Sequence, residues 1–322
     1  MQANAVLGVD ISKKKFDVCL LVGNKERYKV FQNNHDGFEK LVAWCNHHGA
    51  ELIHLCLEAT GCYSEDIVNF MYDLEHNVSV VNPAQIKAFG RSELLRNKTD
   101  KSDAAMIARF CIANKPNLWK PAPPEVRRLR DLYRCLQAFK DDKLQQMNRL
   151  ENKNTDSHCK QAILEVIATI DTQTAALEKE INEHVNNHLH LKNITEKIKT
   201  IKGVGHLTAV AVVAEMPSVD NFDNARQFTA FAGLNPEHYQ SGSSVSKKSR
   251  ICKIGSERIR KALYMPAIVV KNHNSYFQKF CQRLASKGKC PKVIIVALMR
   301  KLMHVFFGIL KNDQPFNGNL VR

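Results

Sequence analysis

Four carboxylates, Asp10, Glu58, Asp100 and Asp103, have the types and spacing to do chemistry together. Asp10 ends an apolar run in Gly8-Val9-Asp10-Ile11-Ser12, and Glu58 ends another in Leu57-Glu58-Ala59-Thr60-Gly61. Asp100 and Asp103 lie in Asn97-Lys98-Thr99-Asp100-Lys101-Ser102-Asp103-Ala104, at a spacing that puts both on one helix face. Clustered carboxylates repel one another and cost stability unless a cation neutralises them. Hard oxygen donors select Mg2+, with Mn2+ as the alternative. Two such ions about 4 Å apart can clamp the attacking and leaving oxygens of a phosphodiester. Each acid also has a plain structural role. Acids after strands begin turns, and Asp100 can act as a helix N-cap with Asp103 at N3.

A second group lies far along the chain, in Tyr239-Gln240-Ser241-Gly242-Ser243-Ser244-Val245. The pattern predicts a polar loop with Ser241 exposed on it. Most serines of this kind only form turns. Here the following residues are basic: Lys247, Lys248, Arg250, Lys253, Arg258, Arg260 and Lys261. Such a cluster can hold phosphates and stabilise the charge that develops on them, beside a serine able to attack a phosphodiester. Gly203-Val204-Gly205 sits between two apolar stretches, where Gly203 and Gly205 allow a tight turn between helices. The exposed N–H groups of such a turn can face a phosphate, although a plain helical turn has the same signature.

The elements that must position these residues follow from the apolar pattern. Val6–Ile11, Phe16–Val22 and Tyr28–Phe31 predict three consecutive strands in an antiparallel meander. Helical spacing follows over 35–48, then a strand over 52–57, a helix over 63–74, a strand over 77–81 stopped by Asn82-Pro83, and a helix over 99–113. That order is the one of a ribonuclease-H-like α/β domain, in which the first and fourth strands are neighbours and bring Asp10 and Glu58 together. A Pro-rich linker at 120–124 separates this region from two long helical stretches, 125–151 and about 163–181. Their apolar steps of three and four predict an antiparallel hairpin or coiled coil, serving either as a packed spacer or as an oligomerisation arm. Helical pattern returns at 255–260 and 291–310.

Composition narrows the partners. Lys plus Arg is 47 against 32 for Asp plus Glu, giving a formal charge of +15, which favours an acidic partner and above all nucleic acid. No apolar run is expected to reach the roughly 18 residues of a membrane span. The early run Val18–Val22 lacks the flanks of a secretory signal. Ten scattered cysteines include no Cys-x-x-Cys pair, which argues against a zinc ribbon or a disulfide framework and for reduced thiols in a cytoplasmic protein.

Taken in order, Gly8-Val9-Asp10-Ile11-Ser12, Glu58-Ala59-Thr60-Gly61, Asn97 to Ala104, Gly203-Val204-Gly205, Phe228-Thr229-Ala230-Phe231-Ala232-Gly233-Leu234 and Ser241-Gly242-Ser243-Ser244 resemble the IS110 insertion-sequence transposases over nearly the whole chain. That family also contains the Piv-type pilin-gene invertases. The resemblance implies a RuvC-like DEDD domain over 1–118, a helical coiled-coil spacer over 125–192, and a mostly α C-terminal transposase domain over 194–322 with a serine loop. It implies that Asp10, Glu58, Asp100 and Asp103 bind Mg2+ and that Ser241 becomes joined covalently to DNA. It further implies double-stranded donor and target DNA, a bridge RNA that guides pairing, and assembly up to a tetramer in which one subunit's metal site completes another's serine site. A nucleoid-associated cytoplasmic location follows from the same likeness. Two other readings use the same residues differently. A RuvC-like nuclease would use water and the four acids but not Ser241. An architectural nucleic-acid binder would use only the basic charge.

Overall fold

The computed structural model describes residues 5–59, 61–94, 99–151, 156–241 and 245–318, with side chains described at all of these except 62 and 238–249. The chain divides into two compact units, Met1–Pro121 and Ala122–Arg322.

The first unit is built on β1 (Ala5–Ile11), β2 (Lys15–Val22), β3 (Lys25–Gln32), β4 (Ile53–Glu58) and β5 (Asn77–Val81), in spatial order β3-β2-β1-β4-β5. β1, β2 and β3 form the expected antiparallel meander, while β4 and β5 run parallel to β1. Leu7, Val9, Phe16, Val18, Leu20, Leu55 and Leu57 alternate onto one face of the sheet. There they meet Phe38, Leu41 and Cys45 of α1 (His35–His47) and Ile67, Val68 and Met71 of α2 (Glu65–Asp73). α4 (Asp100–Asn114) covers the opposite face, with Ala104, Ala105 and Ala108 against Cys19, and Ile107 and Cys111 packed with Cys56.

The sequence order omitted α3 (Pro83–Ser92). Asn82-Pro83 does end β5, but the same two residues start a helix. The Asn82 side chain accepts from the Ala84 N–H at 2.8 Å, and Pro83 takes the first helical position, where its missing N–H costs nothing.

α4 lies unusually close to the sheet because Gly8 has no side chain. A Cβ at position 8 would fall 2.2 Å from the Ala104 carbonyl oxygen and 2.4 Å from the Ala108 nitrogen. Both are backbone atoms, so the whole helix must move to make room. Gly8→Ala is therefore expected to lower unfolding free energy by about 3 kcal/mol, read as a shift in urea midpoint.

The second unit is mainly helical. α5 (Pro124–Leu150) and α6 (Ser157–Asn187) form an antiparallel hairpin, laced by Arg128–Glu180, Lys140–Glu178 and Lys143–Asp171 pairs. Its base packs Leu129, Tyr133, Leu136, Ile181 and Val185 against Val210, Ala211 and Ala214 of α8 (His206–Glu215), which follows α7 (Leu189–Lys199). At this junction Arg134 grips the buried Glu215 with both prongs, Nε to Oε1 at 2.8 Å and Nη2 to Oε2 at 2.9 Å. The Glu215 side chain is only 4% exposed. Arg134→Met leaves that carboxylate buried against an apolar chain, and equilibrium denaturation is expected to register a loss of about 3 kcal/mol.

α9 (Ala225–Phe231), α10 (Glu257–His273), α11 (Ser275–Ser286) and α12 (Pro291–Asn312) complete the core, together with a polar hairpin of β6 (Pro236–Ser241) and β7 (Val245–Ile251). α12 corrects the expectation that no apolar stretch reaches membrane length. By length and composition this helix could cross a bilayer. Here Leu298, Leu302, Met303 and Phe306 sit fully buried, at the centre of the second unit's core.

Candidate active site

Strand alternation assigns the carboxylates to a face. Val9 and Leu57 pair in register across β1 and β4 and both point into the α1–α2 core. Their successors Asp10 and Glu58 therefore turn to the α4 side, at the ends where the two parallel strands finish. The first turn of α4 carries Asp100 and Asp103. Its start is fixed by a reciprocal capping box: Thr99 Oγ1 accepts from the Ser102 N–H at 3.1 Å, and Ser102 Oγ accepts from the Thr99 N–H at 2.8 Å. This corrects the capping role considered for Asp100. Thr99 and Ser102 satisfy the helix end, and neither aspartate is the cap residue.

Asp10 is half-buried, and its carboxyl is pushed up to about 6. Burial is the main cause, and the negative charges of Asp103, Asp100, Asp17 and Glu58 add to it. The other three expected acids thus all act on Asp10, and Asp17 joins them. Asp17 pairs directly with Asp10 across the β1–β2 hairpin, on the same face of the sheet. Lys15, two residues before it, reaches into the group. Its Nζ lies 2.9 Å from Asp100 Oδ2 and 3.1 Å from Asp17 Oδ2. Hairpin register was the signal available for both residues, since a tight turn after Ile11 must bring β2 back alongside Asp10.

The donor chemistry fits a hard divalent cation. Every candidate ligand is a carboxylate oxygen, and Asp10, raised first by burial, is raised further by the negative charge of its neighbours. Among the described residues, no three His, Cys, Asp or Glu side chains converge into a ready cage.

Ser241 lies in the second unit and is a strand residue, which corrects the loop expectation. It is the last residue of β6, paired in register with Val245 of β7. Gly242, Ser243 and Ser244 lie outside the described residues, as do Thr60 and the Asn97-Lys98 part of the α4 motif. The hairpin is anchored from behind. Gly233 and Gly255 both have positive φ, and Arg260 Nη1 donates to the carbonyls of Ala232 at 3.0 Å and Gly255 at 3.1 Å, near the two ends of the hairpin.

The expected basic cluster therefore divides by role. Arg260 ties backbone, and Lys261 pairs with Asp141 of α5. Arg250, Lys253 and Arg258 are exposed, while Lys247 and Lys248 belong to β7. Gly203 and Gly205 do lie between two helices, α7 and α8. Gly203 has φ +100° and abuts α10, where a Cβ would meet Val270 at 3.0 Å. Gly205 is the N-cap residue of α8, with open space where a side chain would be.

Comparison with known proteins matches both parts of the chain to transposase families. Residues 195–282 match the family described as transposase IS116/IS110/IS902, and residues 7–158 match a DEDD-type IS110 transposase family. The pilin gene-inverting protein of Moraxella bovis is 32% identical over 317 residues, covering 98% of each chain, and the protein of that name from Moraxella lacunata gives the same figures. The transposase for insertion sequence element IS1328 of Yersinia enterocolitica is 22% identical over 227 residues, which is 63% of this chain and 66% of that one. A relative at this identity over essentially its full length, with both parts matched to transposase models of one kind, establishes that the chain belongs to the IS110 transposase family.

Proposed function

We propose that the chain is a site-specific DNA recombinase that cuts and rejoins strands through a covalent serine–DNA intermediate, with Ser241 as nucleophile and Asp10, Glu58, Asp100 and Asp103 as ligands of Mg2+ or Mn2+. The observation that carries this reading is that Asp10 and Glu58 end neighbouring parallel strands on the α4 side of the sheet, with Glu58, Asp100 and Asp103 all acting on Asp10. The strand order β3-β2-β1-β4-β5, with β4 and β5 parallel to β1, supports a ribonuclease-H-like, RuvC-like domain.

When bound, the metal would supply charge neutralisation and polarisation at the scissile phosphate. The chain's own groups do the rest. Ser241 Oγ attacks phosphorus; a serine–phosphate ester forms and one sugar–phosphate ester bond breaks. The serine proton is delivered, through solvent, to the departing sugar oxygen. Attack by the hydroxyl of an incoming strand end reverses the step. The bond energy stays in the ester, and no nucleoside triphosphate is consumed. Arg250, Lys253 and Arg258, exposed beside the hairpin, hold backbone phosphates.

A guide RNA and a tetramer belong to this reading through family likeness. The full-length similarity to pilin gene-inverting proteins favours a second version, an invertase-type strand exchange that needs no RNA. The test is a denaturant-resistant, protease-sensitive DNA adduct formed on labelled flanking DNA with Mg2+, with cellular RNA retained or removed. An adduct that needs RNA supports the guided version, and one that forms without it supports the invertase version. Cleavage with no adduct assigns the attack to water and overturns the role of Ser241.

A further inference from the structure

Lys15 is held at the carboxylate cluster from two sides. Its backbone is pinned by the β1–β2 turn, where the Lys15 carbonyl accepts from the Ser12 N–H at 2.9 Å and the Ser12 hydroxyl at 2.7 Å. Next to it, the Lys14 carbonyl accepts from the Asn33 N–H at 2.9 Å. Its ammonium bridges Asp17 and Asp100, which come from different elements of the unit. Asp17 is mostly covered, its side chain 14% exposed, whereas Asp100 is open at 60% and Lys15 at 45%. The bridge is thus asymmetric: one end is anchored in the sheet, and the other rests on a carboxylate proposed to bind the metal.

We propose that Lys15 is the built-in counter-cation of this site. In the metal-free protein its ammonium holds Asp100. A divalent ion must displace it from that carboxylate, and the freed ammonium then pairs with a phosphate of the bound DNA strand. The proposal rests on the reading that these acids bind a divalent ion. A divalent ion and an ammonium on one carboxylate repel each other, so each weakens the hold of the other on Asp100. A lysine suits this exchange. Its flexible four-carbon stem lets the charge move while the turn fixes the Cα, and its ammonium serves carboxylate and phosphate alike as a point charge. Asp17 remains as the tether that limits the excursion. The Lys15–Asp100 pair is solvent-exposed, so its removal leaves the fold intact.

The test measures Mn2+ binding to the full chain, by titration without DNA, in wild type, Lys15→Met, Lys15→Arg and Asp10→Asn. Lys15→Met is expected to bind Mn2+ about three- to ten-fold more tightly than wild type, because a competing charge is gone. Lys15→Arg keeps the charge and is expected to stay near wild type. A merely structural role for Lys15 would not raise metal affinity. Unchanged or weaker Mn2+ binding in Lys15→Met, with binding lost in Asp10→Asn, overturns the Lys15 proposal and leaves the metal reading standing. Wild-type Mn2+ binding in Asp10→Asn overturns the metal reading itself. A second arm compares the gain in affinity for a flanking DNA duplex on adding Mn2+. Wild type is expected to gain more than Lys15→Met by about three-fold; equal gains overturn the transfer of the ammonium to phosphate.

Discussion

Asp10→Asn is expected to abolish Mg2+-dependent strand cleavage and, in the same protein, to raise the stability of the metal-free fold. The loss of function follows from the central position of Asp10 among the acids, and it should reach about a thousand-fold or more, by analogy with removal of a preorganised charge-stabilising group. The gain in stability follows from the raised carboxyl of Asp10, pushed up to about 6 by burial and by Asp103, Asp100, Asp17 and Glu58. An unfolded aspartate titrates near 4. Between about pH 4 and pH 6 the folded state therefore binds more protons than the unfolded one, so stability falls as pH rises through that window and stays low above it. Asparagine resembles the protonated acid and escapes the loss. Variant and wild type should coincide near pH 4 and diverge as pH rises to about 6. Above that the variant should be ahead by about 1–2 kcal/mol, after allowance for screening of a half-exposed group. Denaturation midpoints across this range, without metal, decide the matter. An equal or lower midpoint for Asp10→Asn at pH 7 would show that the carboxylates do not strain the fold.

Ser241→Ala is expected to eliminate the covalent DNA–protein species altogether, since a methyl group offers no oxygen to phosphorus. Rejoining goes with it, because the ester is the store of bond energy. Stability should change by less than about 0.5 kcal/mol, since the substitution removes one hydroxyl at the end of a polar two-stranded hairpin. Retention of the adduct on denaturing gels would move the nucleophile elsewhere in the hairpin, and normal recombination without any adduct would discard covalent serine catalysis.

Much of the first unit is legible in the chain because its strands obey simple rules. The apolar runs at β1, β2, β4 and β5 are bounded by turn residues, and buried strands carry that signal without help from context. The face on which Asp10 and Glu58 lie follows from alternation once β1 and β4 are known neighbours. Other features stayed hidden for definite reasons. The end of β5 masked α3, because Asn82-Pro83 is both a strand stop and a helix start. The sequences of β6 and β7, Glu237 to Ser241 and Ser246 to Arg250, contain no alternating aliphatic residues, so no apolar period announces them. Thr99 and Asp100 are adjacent residues of capping type, Asp if anything the stronger, and only the reciprocal bonds with Ser102 give the role to Thr99. Asp17 carries no signal of its own in the sequence, and the pairing register is what reveals that its neighbour is Asp10.

The bare backbone at Gly8 has a consequence for how this protein can change over generations. The contact it permits is with main-chain atoms of α4, so no side-chain substitution along that helix can make room for a larger residue at position 8. Asp100 and Asp103 ride on the same helix, so any shift of its axis carries both carboxylates together, in one direction and by one amount. Drift that accumulates one residue at a time therefore has no gradual path there. The position behaves as a ratchet, and an engineer who wants to alter the reach of the site has one coarse handle at Gly8 and must make the fine adjustments among the acids themselves.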